Sequence, residues 1–171
     1  IVKETLSLAN ALMHKDQITL KCEIPDNLPT VWCQSQQIQQ VLMNFLTNAR
    51  DTLNERYPQA HKDKTIRILA APFEDAGIRW MRLTVEDHGN GIPPEIADRV
   101  FDPFFTTKGR DQGTGLGLSI SSGIVNNHHG RIWFETEPGK GTRFHVELRL
   151  DPDVVSDERK VRPLPGAFEV A

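Results

Sequence analysis

Three oxygen-bearing side chains share one edge of a predicted helix. From Ser35 to about Arg56, apolar residues recur at every third or fourth position, which predicts a long amphipathic helix. At about 100° per residue, Asn44, Asn48 and Asp51 fall within roughly 60° of one another, beside the apolar stripe. An amide oxygen at such an edge can ligate Mg²⁺, which binds a few protein oxygens together with phosphates and water. A solvated helix face is the alternative interpretation.

A carboxylate stands at the end of a predicted strand, directly before a glycine-rich turn. The strand IRWMRLTVED ends at Asp87, and HGNG follows it. Because Gly89 and Gly91 let the backbone turn and let a flat ring approach closely, the carboxylate can project into a pocket. There it can accept a hydrogen bond from an exocyclic amine. A β-turn closed by an Asx-type hydrogen bond is the alternative.

A glycine-rich loop precedes a second helix. The loop GTGLGL at 113–118 leads into an apolar helix predicted to start near Leu116 and to end near Gly130. The backbone N–H groups of its first turn are free to bind phosphate oxygens, and the helix dipole favours this. Lys108, a charge on a flexible stem, is a candidate for the same phosphates. A capped helix and a solvated lysine are the alternatives.

The stretch from Phe101 to Gly115 has hinge glycines and few residues predicted to be buried. This composition suits a lid that becomes ordered over a bound ligand. Phe101, Phe104 and Phe105 either anchor the lid, dock on a partner surface or pack in the core. The spacing of the glycines matches neither the GxGxxG dinucleotide fingerprint nor a Walker A sequence.

The remaining pattern predicts the elements that position these residues. Residues 1–15 predict the end of a helix, and QITLKCEIP with LPTVWC predicts a β-hairpin with Asn27 in its turn. Further strands are predicted at TIRILAAPF, at IRWMRLTVED and in a final hairpin around GKGT at 139–142. PPEIADRV predicts a short helix with proline in its first turn. Beyond Asp151 the composition shifts towards acids and prolines and predicts a loosely held tail.

Composition excludes several classes of protein. The 171 residues contain 20 Lys and Arg against 23 Asp and Glu, a net charge of −3, which argues against binding to nucleic acid or to a membrane surface. No apolar run reaches the length of a membrane helix. Cys22 and Cys33 lack metal-ligand spacing, which is typical of reduced cytosolic thiols. The length predicts one domain, and a start at Ile1 rather than Met predicts a piece of a longer protein.

Four motifs follow one another in a fixed order: NFLTNA at 44–49, DHGNG at 87–91, GTGLGL at 113–118 and GKGT at 139–142. In this order and spacing they resemble the N, G1, G2 and G3 boxes of the ATP-binding catalytic domain of sensor histidine kinases, within the GHKL superfamily. FDPFFTTK at 101–108 lies where these kinases have their F box. The resemblance covers about residues 15–150. It implies an α+β fold, a two-layer α/β sandwich of the Bergerat type with a mixed sheet of about five strands and helices on one face.

The resemblance also implies roles for the residues. Asn48 would ligate Mg²⁺, Asp87 would bind the N6 amine of adenine, and Asn44, Asn48 and Lys108 are the predicted catalytic residues. ATP and Mg²⁺ are the expected cofactors. The predicted nucleotide-binding residues are Asn48, Asp51, Asp87, Gly89, Gly91, Ile92, Thr107, Lys108, Gly113, Thr114, Gly115, Leu116, Gly117, Leu118 and Thr142.

Two positions depart from parts of the superfamily. Hydrolytic members such as the DNA gyrase B subunit have a water-activating Glu four residues before the metal asparagine, whereas Asn44 cannot accept a proton at physiological pH. Many histidine kinases have Lys or Arg three residues after that asparagine, whereas this chain has Asp51. Lys108 is therefore the predicted source of positive charge, with Arg50 as the weaker alternative.

None of the six histidines is followed by an acid, as in the H box of histidine kinases. The phosphoryl acceptor is therefore expected outside this chain, on a dimerisation/histidine domain of the same parent protein, with onward transfer to an aspartate of a response regulator. The parent is expected to be a homodimer and this domain to be cytoplasmic, with a membrane-anchored parent left open. The predicted divisions are a helical dimerisation region or linker at 1–15, the catalytic domain at 16–150 and a tail at 151–171. An ATPase clamp and a catalytically silent ATP sensor are the rival functions.

Overall fold

A mixed five-stranded sheet and a layer of helices make up the fold in the computed structural model, which describes residues 1–108 and 113–151. The strands are β1 (Thr19–Glu23), β2 (Thr65–Asp75), β3 (Ile78–Asp87), β4 (Arg131–Glu137) and β5 (Gly141–Arg149). The helices are α1 (Val2–Lys15), α2 (Ser35–Arg56), α3 (Pro94–Ala97) and α4 (Gly117–Asn127). The strand order is β1-β2-β3-β5-β4, with β1 parallel to β2 and all other pairs antiparallel.

The core lies between the helices and one face of the sheet. Phe45 of α2 stacks on Phe144 of β5, with ring centroids 4.9 Å apart. Every second residue along β5, counted from Phe144, points to the same face of the sheet as Phe144. The whole predicted apolar stripe of α2 is buried: Ile38, Val41, Leu42, Phe45, Leu46, Ala49 and Leu53. The predicted two-layer α+β sandwich is confirmed.

The predicted hairpin between residues 18 and 33 is wrong. Residues 24–34, all of them described, contain no strand, and β1 pairs in parallel with β2, starting at Thr19 opposite Thr65. Parallel strands need a crossover, and α2 provides it. Pro25 and Pro29 cannot donate a backbone hydrogen bond to a ladder. Val31 packs against the core from a loop instead.

The face of the sheet opposite the helices is covered by its own side chains. Trp80 is buried there beneath the guanidinium of Arg131, which lies 4.3 Å from the ring centroid. Arg82 lies over the Trp133 ring at 5.2 Å and donates to Glu147 at 2.8 Å. Stacked arginines and ion pairs thus shield the aromatic rings of this outer face.

Two sequence predictions concern the ends of the chain. The helix predicted within residues 1–15 is present as α1, which buries Thr5, Ala9 and Met13; its assignment to a dimerisation region or linker stays a prediction. The predicted tail lies outside the described residues after Asp151, which accepts a hydrogen bond from Arg79 at 3.0 Å. In the described ranges, no helix has the length and apolar character needed to cross a membrane.

Candidate active site

A cavity of about 620 Å³ lies between α2, the end of β3 and the chain segments that flank α4. Its volume is in the range of pockets that bind small ligands. It brings together residues from all four sequence motifs. Of the predicted site residues, its lining includes Asn44, Asn48, Asp51, Asp87, Gly91, Ile92, Thr107, Lys108, Gly113, Thr114, Gly115, Gly117, Leu118 and Thr142.

Gly89 and Leu116 support the walls of the cavity. A Cβ at Gly89 would lie 2.4 Å from Cγ2 of Thr52, so only glycine lets the turn after β3 approach α2 this closely. Leu116 is the N-cap residue of α4, and its carbonyl accepts from the Ile120 N–H at 2.9 Å. Both predicted residues therefore shape the site through the backbone.

Asp87 closes one end of the cavity. Its Oδ1 accepts a hydrogen bond from the Gly89 N–H at 2.8 Å, and only 3% of the residue is exposed. Burial raises the pKa of this carboxyl to about 7, although backbone N–H groups of Gly89 and Thr142 oppose the rise. The carboxylate has acceptor capacity left for a ligand.

The turn after Asp87 rests on residues that sequence reasoning missed. Thr52 accepts from the Asn90 N–H at 3.0 Å, and Arg56 donates to the carbonyl oxygens of His88 at 3.0 Å and Gly89 at 2.6 Å. Both supporting residues follow Asn48 on α2 at helical spacing. This spacing of four residues could have identified both from the sequence, because such residues lie on one face of a helix.

Thr136 of β4 was also missed. Its hydroxyl accepts from the Ile92 N–H at 2.8 Å and lies 3.1 Å from the Thr142 hydroxyl and from the Gly141 carbonyl oxygen. It therefore joins the segment after DHGNG to the GKGT motif. Thr142 of that motif is the direct cross-strand neighbour of Asp87. The pairing of β4 with β5, which places Thr136 opposite Thr142, is the signal that locates it.

The two asparagines of α2 differ in their partners. Asn44 Nδ2 donates to the Gly117 carbonyl at 2.9 Å and to Ser121 Oγ at 3.0 Å, so it fastens α2 to the first turn of α4. Asn48 is half-buried in the cavity lining, and its amide has no hydrogen-bond partner among the residues described. The Asn48 amide is therefore available to a ligand or metal, whereas that of Asn44 is engaged.

Lys108, the predicted phosphate contact, lines the cavity, and its ammonium is paired with a carboxylate. Its Nζ lies 2.5 Å from Oδ2 of Asp51. Arg50 Nη1 lies 3.6 Å from the other Asp51 oxygen, and Arg50 Nε donates to Asp16 at the end of α1. Arg50 thus faces α1 rather than the cavity. Of the two basic residues considered as sources of positive charge, only Lys108 lines the cavity.

The glycine loop places the start of α4 against the other end of the cavity. Gly115 has φ +65°, and a Cβ there would lie 2.5 Å from the Phe104 carbonyl carbon. The N-cap residue Leu116 makes no side-chain cap hydrogen bond. Among the residues that the structure describes, no side chain accepts from the N–H groups of the first turn of α4, the arrangement that binds phosphate. The predicted lid lies partly outside the described residues, at 109–112.

Comparison with known proteins is consistent with this geometry. A family model described as "Histidine kinase-, DNA gyrase B-, and HSP90-like ATPase" matches residues 33–152. The two-component sensor PprA of Pseudomonas aeruginosa is 37% identical over 145 residues, which cover 85% of this chain and 15% of PprA. The signal transduction histidine-protein kinase AtoS of Escherichia coli is 33% identical over 152 residues, covering 89% of this chain and 23% of AtoS. This chain thus spans less than a quarter of the length of either relative.

Solved structures show the same fold. The catalytic domain of histidine kinase ThkA aligns with a TM-score of 0.70 and 31% identity, over 86% of this chain and 89% of that one. Full-length ShkA in complex with AMPPNP aligns with a TM-score of 0.67 and 25% identity, over 85% of this chain and 28% of that one. The chain therefore belongs to the family of histidine kinase-, DNA gyrase B- and HSP90-like ATPases, as an ATP-binding catalytic domain of the sensor histidine kinase type.

Proposed function

We propose that the cavity binds ATP with Mg²⁺ and presents the γ-phosphoryl group to a histidine on a dimerisation domain of the same parent protein. One observation carries this proposal. Along α2 the cavity offers, in order, the uncapped start of α4, the unpartnered amide of Asn48 and the buried carboxylate of Asp87. These groups suit, in order, the phosphates, the metal ion and the base of one extended nucleotide.

At the adenine end, Asp87 accepts a hydrogen bond from the N6 amine. Gly91, at φ +71°, lets the turn after β3 pack against the end of β4 beside this pocket, since a Cβ there would lie 2.4 Å from the Glu137 carbonyl oxygen. Ile92 adds an apolar wall. The hydroxyls of Thr136 and Thr142 hold this wall from below. The base is thus bound by shape and by one directed hydrogen bond.

At the phosphate end, the chain supplies donors and a metal ligand. Asn48 is the residue that would hold Mg²⁺, whose charge would offset that of the phosphates. N–H groups of the first turn of α4 donate to phosphate oxygens. Asn44 fixes that turn through the Gly117 carbonyl. Catalysis by this chain then consists of positioning and charge neutralisation.

The cavity favours transfer to an outside acceptor over hydrolysis. Asn44 is a neutral amide, and the carboxylate of Asp51 is paired with Lys108. Glu55 lines the cavity near the turn after β3, about 16 Å along α2 from Asn44 by the rise of a helix. No described carboxylate thus stands beside the start of α4 to activate a water molecule.

Two exposed apolar side chains flank the phosphate end and suit a docking surface for the dimerisation domain. Phe104 is 75% exposed although its φ is +65°, which is strained for an aromatic residue, and its N–H donates to the Gly115 carbonyl. Ile120, one turn into α4, is also exposed. The parent protein would be a homodimer with this domain in the cytoplasm, where ATP is available, and a response regulator would receive the phosphoryl group.

Incubation with γ-labelled ATP tests the proposed function. With the dimerisation/histidine domain of its own parent, the chain should label that domain on histidine, and the label should be acid-labile. Alone, the chain should bind ATP, incorporate no label and release phosphate far more slowly than the roughly 1 s⁻¹ common for enzymes. Rapid phosphate release by the chain alone would favour an ATPase clamp. Binding without labelling of the partner would favour a silent ATP sensor.

A further inference from the structure

A chain of charged side chains runs from the end of α1 to the cavity. Lys108 Nζ lies 2.5 Å from Asp51 Oδ2, and Arg50 Nη1 lies 3.6 Å from Asp51 Oδ1. Arg50 Nε donates to Asp16, which also accepts from Asn54 at 2.8 Å. The Lys108 and Asp51 side chains are only 24% and 25% exposed. Their ion pair therefore belongs to the cavity wall, where solvent screens it less than on an open surface.

The ion pair holds the ammonium away from the phosphate end. A helix rises about 1.5 Å per residue, so Asp51 lies about 10 Å along α2 from Asn44, which touches the first turn of α4. The stem of Lys108 passes Gly113, where a Cβ would lie 3.3 Å from it. A lysine on this flexible stem can swing towards the phosphates. To meet a terminal phosphate bound at α4, the ammonium has to leave Asp51.

Arg50 makes this departure possible. Without Lys108, Asp51 would be a partly buried carboxylate in the same cavity as a polyphosphate, and like charges at short range repel. Arg50 already faces the second oxygen of Asp51. Its Nε is engaged by Asp16, while the terminal nitrogens of its guanidinium remain able to donate to Asp51. The carboxylate can therefore lose one cation and keep another.

We propose that Asp51 is a positioning residue that competes with the terminal phosphate of the nucleotide for Lys108. This competition lowers the preference of the site for ATP over ADP. Only ATP has a γ-phosphate that Lys108 can bind, so only ATP binding requires the lysine to leave Asp51. Arg50 weakens this competition, because it stays beside Asp51 and offsets the negative charge of that carboxylate after Lys108 has left. The inference rests on the proposed function, since it requires that the nucleotide lie with its phosphates at α4.

The test is the ratio of the dissociation constants for ADP and ATP, measured by calorimetry in the presence of Mg²⁺. This ratio cancels the shared adenine contacts. Asp51→Asn should raise the ratio about three- to fivefold, the effect of a partly exposed ion pair. Arg50→Gln should lower it. In a Lys108→Met background the rise in Asp51→Asn should be smaller, because the competing ammonium is gone and only the repulsion between Asp51 and the phosphates remains.

A matched control removes the same charge elsewhere. Glu23 pairs with Arg67 at 2.9 Å on the outer face of the sheet, and Glu23→Gln should leave the ratio unchanged. An unchanged or lowered ratio in Asp51→Asn overturns the proposal. So does a rise that is undiminished without Lys108, since Asp51 would then act on the nucleotide or metal directly. If Asp51→Asn does not fold, Asp51→Ser and the opposite shift in Arg50→Gln carry the test. If wild type binds neither nucleotide, the proposed function itself fails.

Discussion

Asp87 and Glu147 are both buried carboxylates of the same sheet, yet their surroundings differ. Glu147, 2% exposed on the outer face, accepts hydrogen bonds from Arg82 at 2.8 Å and from Arg131 at 3.4 Å. Asp87, 3% exposed at the cavity, is bonded to backbone N–H groups, and no described cation lies within ion-pair distance of it.

The difference separates a structural carboxylate from a binding carboxylate. Burying a charge is costly unless cations and donors satisfy it. Glu147 is satisfied by its own protein, so its ion pairs stabilise the fold. Asp87 is held only by backbone N–H groups, and burial raises its pKa to about 7, so a ligand that donates to it would offset the remaining cost of burying its charge. A buried carboxylate with no described cation beside it is thus the better guide to this site.

Neutralising each carboxylate gives the largest expected contrast. Asp87→Asn should weaken ATP binding more than tenfold, about 1.4 kcal/mol, because a charge-assisted hydrogen bond is lost. It should also stabilise the fold at pH 8 by about 2 kcal/mol, because an ionised buried carboxylate is removed. Glu147→Gln should leave ATP affinity unchanged and cost about 2 kcal/mol of stability, since its arginines are partly solvated.

Calorimetry for ATP and urea unfolding for stability measure both changes. Unchanged ATP affinity in a folded Asp87→Asn variant would show that adenine binds elsewhere. Weakened ATP binding in Glu147→Gln would show that the outer face is coupled to the cavity.

The two asparagines of α2 extend the comparison. Asn48, unpartnered, should be needed for the metal: Asn48→Ala should remove the Mg²⁺-dependent part of ATP binding, about tenfold, while adenosine binds almost as before. Calorimetry with and without Mg²⁺ separates the two contributions. An equal loss for ATP and adenosine would mean that the variant merely damaged the helix.

The pH dependence of stability contrasts the two faces of the sheet. Asp87 has a pKa raised to about 7 by burial, so between about pH 4 and 7 the native state binds the extra proton and stability falls as pH rises. His145, on the outer face, has a pKa lowered to about 4 by burial, so between about pH 4 and 6.5 the unfolded state binds the extra proton and stability rises with pH.

These opposite slopes should largely cancel in the wild type. In Asp87→Asn the free energy of unfolding should rise with pH, and in His145→Gln it should fall with pH, each by about 1 kcal/mol per pH unit. Urea unfolding at pH 5 and pH 6.5 measures them. Identical slopes in both variants would contradict these assignments.

Among the variants of cavity residues, the smallest loss of ATP affinity is expected at Asn44. Asn44→Ala removes the hydrogen bonds to Gly117 and Ser121, which should cost about 1 kcal/mol of stability. ATP affinity should fall less than in Asn48→Ala, because Ser121 still donates to the Gly117 carbonyl at 2.8 Å. A larger loss of ATP affinity than in Asn48→Ala would reverse the proposed roles of the two residues.

Local patterns predicted the elements that carry the site. The apolar repeat of α2 located Asn44 and Asn48, and the glycines after Asp87 located the turn, because helix periodicity and left-handed backbone are properties of neighbouring residues. The pairing of β1 was not predictable in this way, since its partner β2 starts more than 40 residues later and a parallel ladder leaves no turn signal.

The sequence also could not predict which side chains contact one another in the site. The sequence identified Lys108 as a candidate for phosphate but could not indicate that Asp51, 57 residues earlier, holds it. Thr136 supports the cavity wall only because β4 pairs with β5 and places it opposite Thr142. These contacts depend on tertiary packing, which a spacing rule does not contain.

A crystal structure of the chain with Mg²⁺ and AMPPNP tests the account most directly. We expect the adenine N6 amine within hydrogen-bond distance of Asp87, about 2.9 Å, and the metal about 2.1 Å from the amide oxygen of Asn48. Phosphate oxygens should meet N–H groups of the first turn of α4, and Lys108 should have left Asp51. An adenine ring away from Asp87, or phosphates away from α4, would contradict the account.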